Sequence, residues 1–280
     1  MSLLLNRHVR LTVRPDTVLA AVWRGRWRPA RVAEFEATID PSQADAEAQA
    51  ARKALAGLAA KVSIGGARLQ VEIADALVHL DVAEGEFAGL GTRTLTSIAD
   101  ACVAELLGEQ AGAHQVRWQL QRDERHMFVC ALPSRWVDAV VGAAATHHMN
   151  VTSLQPSFNV QWNHHLGGRR MANAVFAVAD GAHALIACVR DGVVTAVSNG
   201  PWYADRGGLG DSRVDRLLAG VGLVDSKKSV TLIDVQVDRL LAGLGVDPGA
   251  RADFVLVSAG EPHAYLSERW TVRSPWGAVT

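Results

Sequence analysis

Cysteine is scarce in this 280-residue chain: only Cys102, Cys130 and Cys188 occur, far apart and odd in number. Such a set excludes a disulfide framework and a zinc ribbon, and it fits a reducing compartment. Net charge is nearly absent too, with 28 Lys and Arg against 29 Asp and Glu, a formal charge of −1. No global field therefore draws the molecule toward nucleic acid or an anionic membrane surface. Charge-free apolar runs of about 18 residues, the length a membrane-crossing helix needs, do not occur. The most apolar stretch, Val175 to Val189, is broken by Asp180, Gly181 and His183. The leucines after Met1 and Ser2 give way at once to Asn6, Arg7, His8 and Arg10. That opening is shorter than a signal segment of roughly 7–15 apolar residues. Together these absences predict a cytoplasmic protein with no membrane span.

What is plentiful is core material. Hydrophobic residues make up 49% of the chain and charged residues 20%, which excludes intrinsic disorder. At roughly 100–200 residues per domain, the length suits two domains. Val9, Leu11 and Val13 alternate with polar neighbours, Arg14-Pro15-Asp16-Thr17 supplies a turn, and Val18 to Trp23 and Arg31 to Ile39 return as further strands. The chain thus opens on an antiparallel meander. A helix follows, with Ser42 as its expected N-cap, a narrow stripe of Ala44, Ala48, Ala51, Leu55, Leu58 and Val62, and an end at Gly65-Gly66.

Strands are expected at 68–73 and 77–82. A helix at 92–107 should turn Leu95, Ile98, Cys102 and Leu106 inward and close at Gly108. Strands at 116–120 and 126–132 lead to a helix from Pro133-Ser134 with Trp136, Val137, Val140, Val141 and Ala144 on one side. Asn150 is expected to close it in the left-handed conformation. After a strand at 151–154, Gln155-Pro156 begins another helix. From there the order starts again, with strands at 173–179, 183–190 and 193–198 and a hairpin turn at Arg190-Asp191-Gly192. Helices at about 211–221 and 235–244 flank a strand at 229–233, and 254–258 is a last apolar strand. Both halves run meander, helix, strand, helix without residue-level repetition. The expected fold class is α/β with mixed sheets in two lobes, residues 1–155 and 156–280.

Candidate chemistry is thin. His147-His148 and His164-His165 are adjacent pairs whose side chains diverge by about 100° on a helix, so neither pair converges on one ion. No metal site is expected. Arg206-Gly207-Gly208-Leu209-Gly210-Asp211 is a glycine-rich loop before a helix, where a phosphate could rest beside Arg206. It fits neither dinucleotide nor P-loop spacing, and Asp211 would repel an anion, so a connector explains it. No nucleophile elbow surrounds Ser198 or Ser258, and Cys130 and Cys188 fall in apolar strands as core residues. Arg24, Arg26, Arg28 and Arg31 beside Trp23 and Trp27 form a basic-aromatic group that a solvated hairpin accounts for.

The segment Ala174-Val-Phe-Ala-Val-Ala-Asp180-Gly181-Ala-His-Ala-Leu-Ile-Ala-Cys-Val-Arg-Asp191-Gly192-Val-Val resembles the hairpin opening the second lobe of actin-like ATPases. Leu154-Gln-Pro156-Ser-Phe-Asn-Val-Gln-Trp resembles the strand and proline-led helix that join the lobes of that family. The nearest likeness is to the actin-like cytoplasmic components of type IV pilus and type II secretion machines, the PilM-like and GspL-like proteins. The resemblance implies a two-lobed actin-like (ribonuclease H-like) fold. It also implies a phosphate turn at Asp180 and Gly181 and a nucleotide-side glycine at Gly260. Two departures stand out. Leu11 to Thr17 lacks the aspartate and glycine of the first phosphate turn in register, and Pro15 has no N–H to offer. Gly260 is left of a glycine pair. The implied role is therefore a scaffold without catalytic residues or a required cofactor, one that binds a cytoplasmic segment of an inner-membrane assembly protein and can form a homodimer. The alternatives are an actin-like ATPase that retains Mg-ATP, and a small-molecule enzyme built on the Arg206–Asp211 loop.

Overall fold

Strand alternation in the opening residues reads out directly as burial. In the computed structural model β1 (Arg7–Val13) buries Val9, Leu11 and Val13 completely and leaves Arg10 and Thr12 on the other face. The structure describes residues 7–24, 30–43, 45–166, 173–180, 183–201 and 253–258. β1 pairs antiparallel with β2 (Thr17–Arg24), and β2 with β3 (Ala30–Thr38), as the meander requires. Helix α1 (Ala46–Lys61) then returns the chain so that β4 (Arg68–Ile73) lies parallel to β1.

An insertion follows before that sheet is completed. It comprises β5 (His79–Glu84), α2 (Thr92–Leu107), β6 (His114–Leu120) and β7 (His126–Pro133). Its sheet, in order β5-β7-β6, has two faces with different duties. Met127, Val129 and Ala131 join Leu95, Ala99 and Val103 of α2 in a satellite core. Phe128, Cys130 and Leu132 belong instead to the main core. Helix α3 (Ser134–Thr146) leads back to β8 (Asn150–Pro156), which pairs parallel with β4 and gives a first sheet ordered β3-β2-β1-β4-β8. Thr152 is the extra residue of a bulge in β8, and its hydroxyl donates to the Leu69 carbonyl at 3.1 Å.

Helix α4 (Ser157–Leu166) carries the chain into a second meander of β9 (Asn173–Asp180), β10 (His183–Arg190) and β11 (Val193–Pro201). β12 (Asp253–Ser258) pairs parallel with β9, so this sheet runs β11-β10-β9-β12. Among the described residues the order third-second-first-fourth thus occurs twice. The β10–β11 turn has both Asp191 and Gly192 at positive φ, 51° and 71°, the two-residue hairpin geometry that Asp-Gly favours.

Several local expectations are corrected. Ser42 does not cap α1; Asp40 accepts from the Ser42 N–H (3.1 Å), the Ser42 hydroxyl (2.7 Å) and Gln43 Nε2 (2.8 Å), making a turn of its own. The helix begins four residues later, after a left-handed Asp45, and ends at Lys61 rather than Gly65-Gly66. Its buried set is Ala46, Ala50, Ala51, Ala54, Leu55 and Leu58, because α1 packs on both α3 and the sheet. On α2 the inward line is Leu95, Ala99 and Val103, while Leu106 is 50% exposed. Val141 is likewise exposed on α3. Left-handed His148, with φ of 52°, ends the α3 region, and Asn150 already belongs to β8. Pro156 closes β8, so α4 starts at Ser157. The elements expected at 211–221, 229–233 and 235–244 lie outside the described residues.

Candidate functional site between the lobes

Parallel register brings the ends of three strands together. Val13 lies beside Ile73, and Ile73 beside Pro156, so β1, β4 and β8 stop at one edge of the first sheet. In open α/β sheets, ligands collect outside such carboxyl ends. The second sheet has the same construction, because Ser258 of β12 lies beside Ala179 of β9. The described part of β12 therefore ends beside the residue that precedes Asp180. Gly181 and Gly260 themselves lie outside the described residues, as do Arg206, Gly207, Gly208 and Gly210.

Helix α4 touches both sheets, packing on β4 and β8 of the first and on β9 of the second. After β4 the backbone makes a short 3-10 turn over Asp75–Leu77, which packs against β10 and β11. Asp75 is buried, and its Oδ1 accepts the N–H of Phe158 at 2.9 Å. A carboxylate thus sits in the first turn of α4, where free N–H groups and the helix dipole favour an anion. From the second lobe, Asn199 Nδ2 donates to the Asp75 carbonyl at 2.9 Å. Burial first, and the Asp75 charge second, push the Cys130 thiol well above its usual value, leaving an inert core sulfur.

Aromatic rings fill the rest of the junction. Phe158 of α4 stacks on Phe128 of the insertion at 5.8 Å and on Trp162 at 5.7 Å, and meets Phe176 of β9 edge-on at 5.7 Å. The turn from β1 to β2 is tight: the Arg14 N–H donates to the Thr17 carbonyl at 2.8 Å across Pro15-Asp16. The Asp16 carbonyl is itself taken by the Ile39 N–H at 2.7 Å. Among the described residues, no three His, Cys, Asp or Glu side chains converge as metal ligands. No helix among them is long and apolar enough to cross a membrane.

Comparison with solved structures decides the architecture. The chain superposes on the cytoplasmic domain of EpsL, an inner membrane component of the type II secretion system of Vibrio cholerae, with a TM-score of 0.54 and 10% identity over 98% of each chain. It superposes on a structure of the PilM-PilN type IV pilus biogenesis complex with a TM-score of 0.52 and 12% identity, over 96% of this chain and 94% of that one. The fold is actin-like. At these identities the likeness is one of fold, and it extends over nearly the whole chain. No protein-family model matches the sequence, and no curated protein does.

Within this actin-like frame, Asp180 is the last residue of β9. Asp75, Phe158 and Asn199 were not legible as site residues. Asp75 had one faint signal, an isolated acid immediately after an apolar strand end; Asn199 had none.

Proposed function

We propose that this protein is a non-catalytic actin-like scaffold that binds a cytoplasmic peptide of a membrane partner in a pilus or secretion assembly platform. In this reading the lobes are residues 1–155 and 156–280, a division one residue before β8 gives way to α4. The observation that carries the reading is the occupied junction. Asp75 holds the first turn of α4, Asn199 crosses to the Asp75 backbone, and the first hairpin turn is a Pro15-Asp16 pair without glycine. Phosphate cradles need several backbone N–H groups aimed at one point, and proline offers none. The likeness over nearly the whole chain to the cytoplasmic domain of EpsL, an inner membrane component, and to a structure of the PilM-PilN pilus biogenesis complex supports a partner embedded in the inner membrane and a cytoplasmic, peripheral location.

The test is a calorimetric titration with Mg-ATP, followed by one with synthetic cytoplasmic segments of the inner-membrane assembly protein. No heat with nucleotide and a saturable signal with peptide are expected. Nucleotide binding tighter than about 100 µM, roughly 5–6 kcal/mol, would overturn the non-catalytic reading. One observation favours the second reading, an ATPase retaining Mg-ATP: the described part of β12 ends beside the residue that precedes Asp180. Asp180→Ala is the variant that would then abolish binding.

A further inference from the structure

The insertion touches more than the lobe that carries it. β11, the outer strand of the second sheet, packs against β5 and β7. At one point the contact becomes directional. Gln121, just past β6, uses its carboxamide to take both backbone groups of Val194 on β11. Its Oε1 accepts the Val194 N–H at 2.8 Å, and its Nε2 donates to the Val194 carbonyl at 2.5 Å. A carboxamide carries the same donor and acceptor as a peptide group, so Gln121 fills the place of a neighbouring strand residue. Two parallel bonds fix orientation as well as distance, which apolar packing does not.

Two other ties are independent of it. Asn199 of β11 donates to the carbonyl of Asp75 in the first lobe. The ring of Phe128 from β7 stacks on Phe158 of α4, and Phe158 and Trp162 both pack edge-on against Phe176 of β9. Insertion, linking helix and second lobe thus meet in one aromatic group. Two lobes joined through a single helix would ordinarily rotate about it as rigid bodies. Here separation of β11 from the insertion breaks part-buried polar contacts, and separation of β9 from α4 parts an aromatic group.

We propose that the insertion β5–α2–β6–β7 is an interlobe latch that holds the two lobes in one closed arrangement, with the Gln121 carboxamide on β11 as its releasable point. Removing that carboxamide leaves the Val194 N–H and carbonyl without their partner. Water can reach them only if β11 draws away from the insertion, so the loss favours opening. The latch is separate from peptide recognition and stands or falls without it.

The experiment measures the lobe-to-lobe distance in the full chain by pulsed electron paramagnetic resonance. Spin labels go on Val32→Cys of β3 and Arg190→Cys of β10, both exposed, in a Cys102→Ser background; Cys130 and Cys188 are buried. One narrow distance distribution is expected, and Gln121→Ala should widen it about two-fold or more. A broad distribution in the parent, or an unchanged narrow one in Gln121→Ala, would overturn the latch. If circular dichroism shows Gln121→Ala unfolded, Gln121→Glu replaces it. That variant keeps the acceptor and loses the donor; widening supports the latch and an unchanged width sinks it.

Discussion

Arg10 and Glu72 form an ion pair on the face of the first sheet opposite Val9, Leu11 and Val13. The side chains sit on adjacent parallel strands, two register positions apart, and are 12% and 4% exposed. Burial lowers the Arg10 guanidinium to about 10, so it is charged at neutral pH and Glu72 is its counterion. Glu72→Ala should destabilise the fold by about 3–5 kcal/mol in denaturant unfolding, because it strands a buried charge. Arg10→Met with Glu72→Leu should recover most of that loss. At His79, burial first and His114 second hold the imidazole below its ordinary 6.5, with the two rings 5.6 Å apart. A base with a lowered folded pKa resists protonation that the unfolded chain accepts. Stability is therefore complete above the ordinary value and falls as pH drops through it. Melting curves from about pH 7.5 to 5 should slope less in His79→Gln than in the parent.

At the scale of elements, α1 approaches β3 through a missing side chain. A Cβ on Gly57 would lie 2.5 Å from the Cγ and both Cδ atoms of Phe35, so the ring lies flat against helix backbone. Lys61 closes over the same ring at 5.3 Å and donates to the Glu34 carbonyl at 2.7 Å. Alanine is the better helix former by about 1 kcal/mol, yet Gly57→Ala should destabilise by about 1–3 kcal/mol through overpacking. Phe35→Leu in the same chain should restore part of the loss in thermal melts. Elements of this size were well legible in the sequence. The 92–107 helix and the 68–73 strand have the bounds their periodicity predicted. The start of α1 was not, because Asp40 competes for Ser42 with a turn that no helical pattern reveals.

For the whole molecule, the junction between the lobes carries the weight. Phe158 is 2% exposed and touches rings from the insertion, its own helix and the second lobe. Phe158→Ala should cost about 3–5 kcal/mol in chemical denaturation, the range for emptying a core aromatic position. The junction was only half legible. The turn expected at Asp180 rested on a family resemblance, and the strand leading to it, β9, ends one residue past its expected end. Asp75, Gln121 and Asn199 find their partners 83, 73 and 124 residues away, beyond the reach of any periodicity.

Among the described residues, the sequence by itself determined the order of strands and helices, the two meanders and the Asp191-Gly192 hairpin, since alternation, helical spacing and turn chemistry act over a few residues. Only the tertiary structure decided that an internal carboxylate takes the first turn of α4, and that a side-chain amide borders β11. Those outcomes follow from which elements pack together, and buried polar groups must then pair with whatever the fold brings to them.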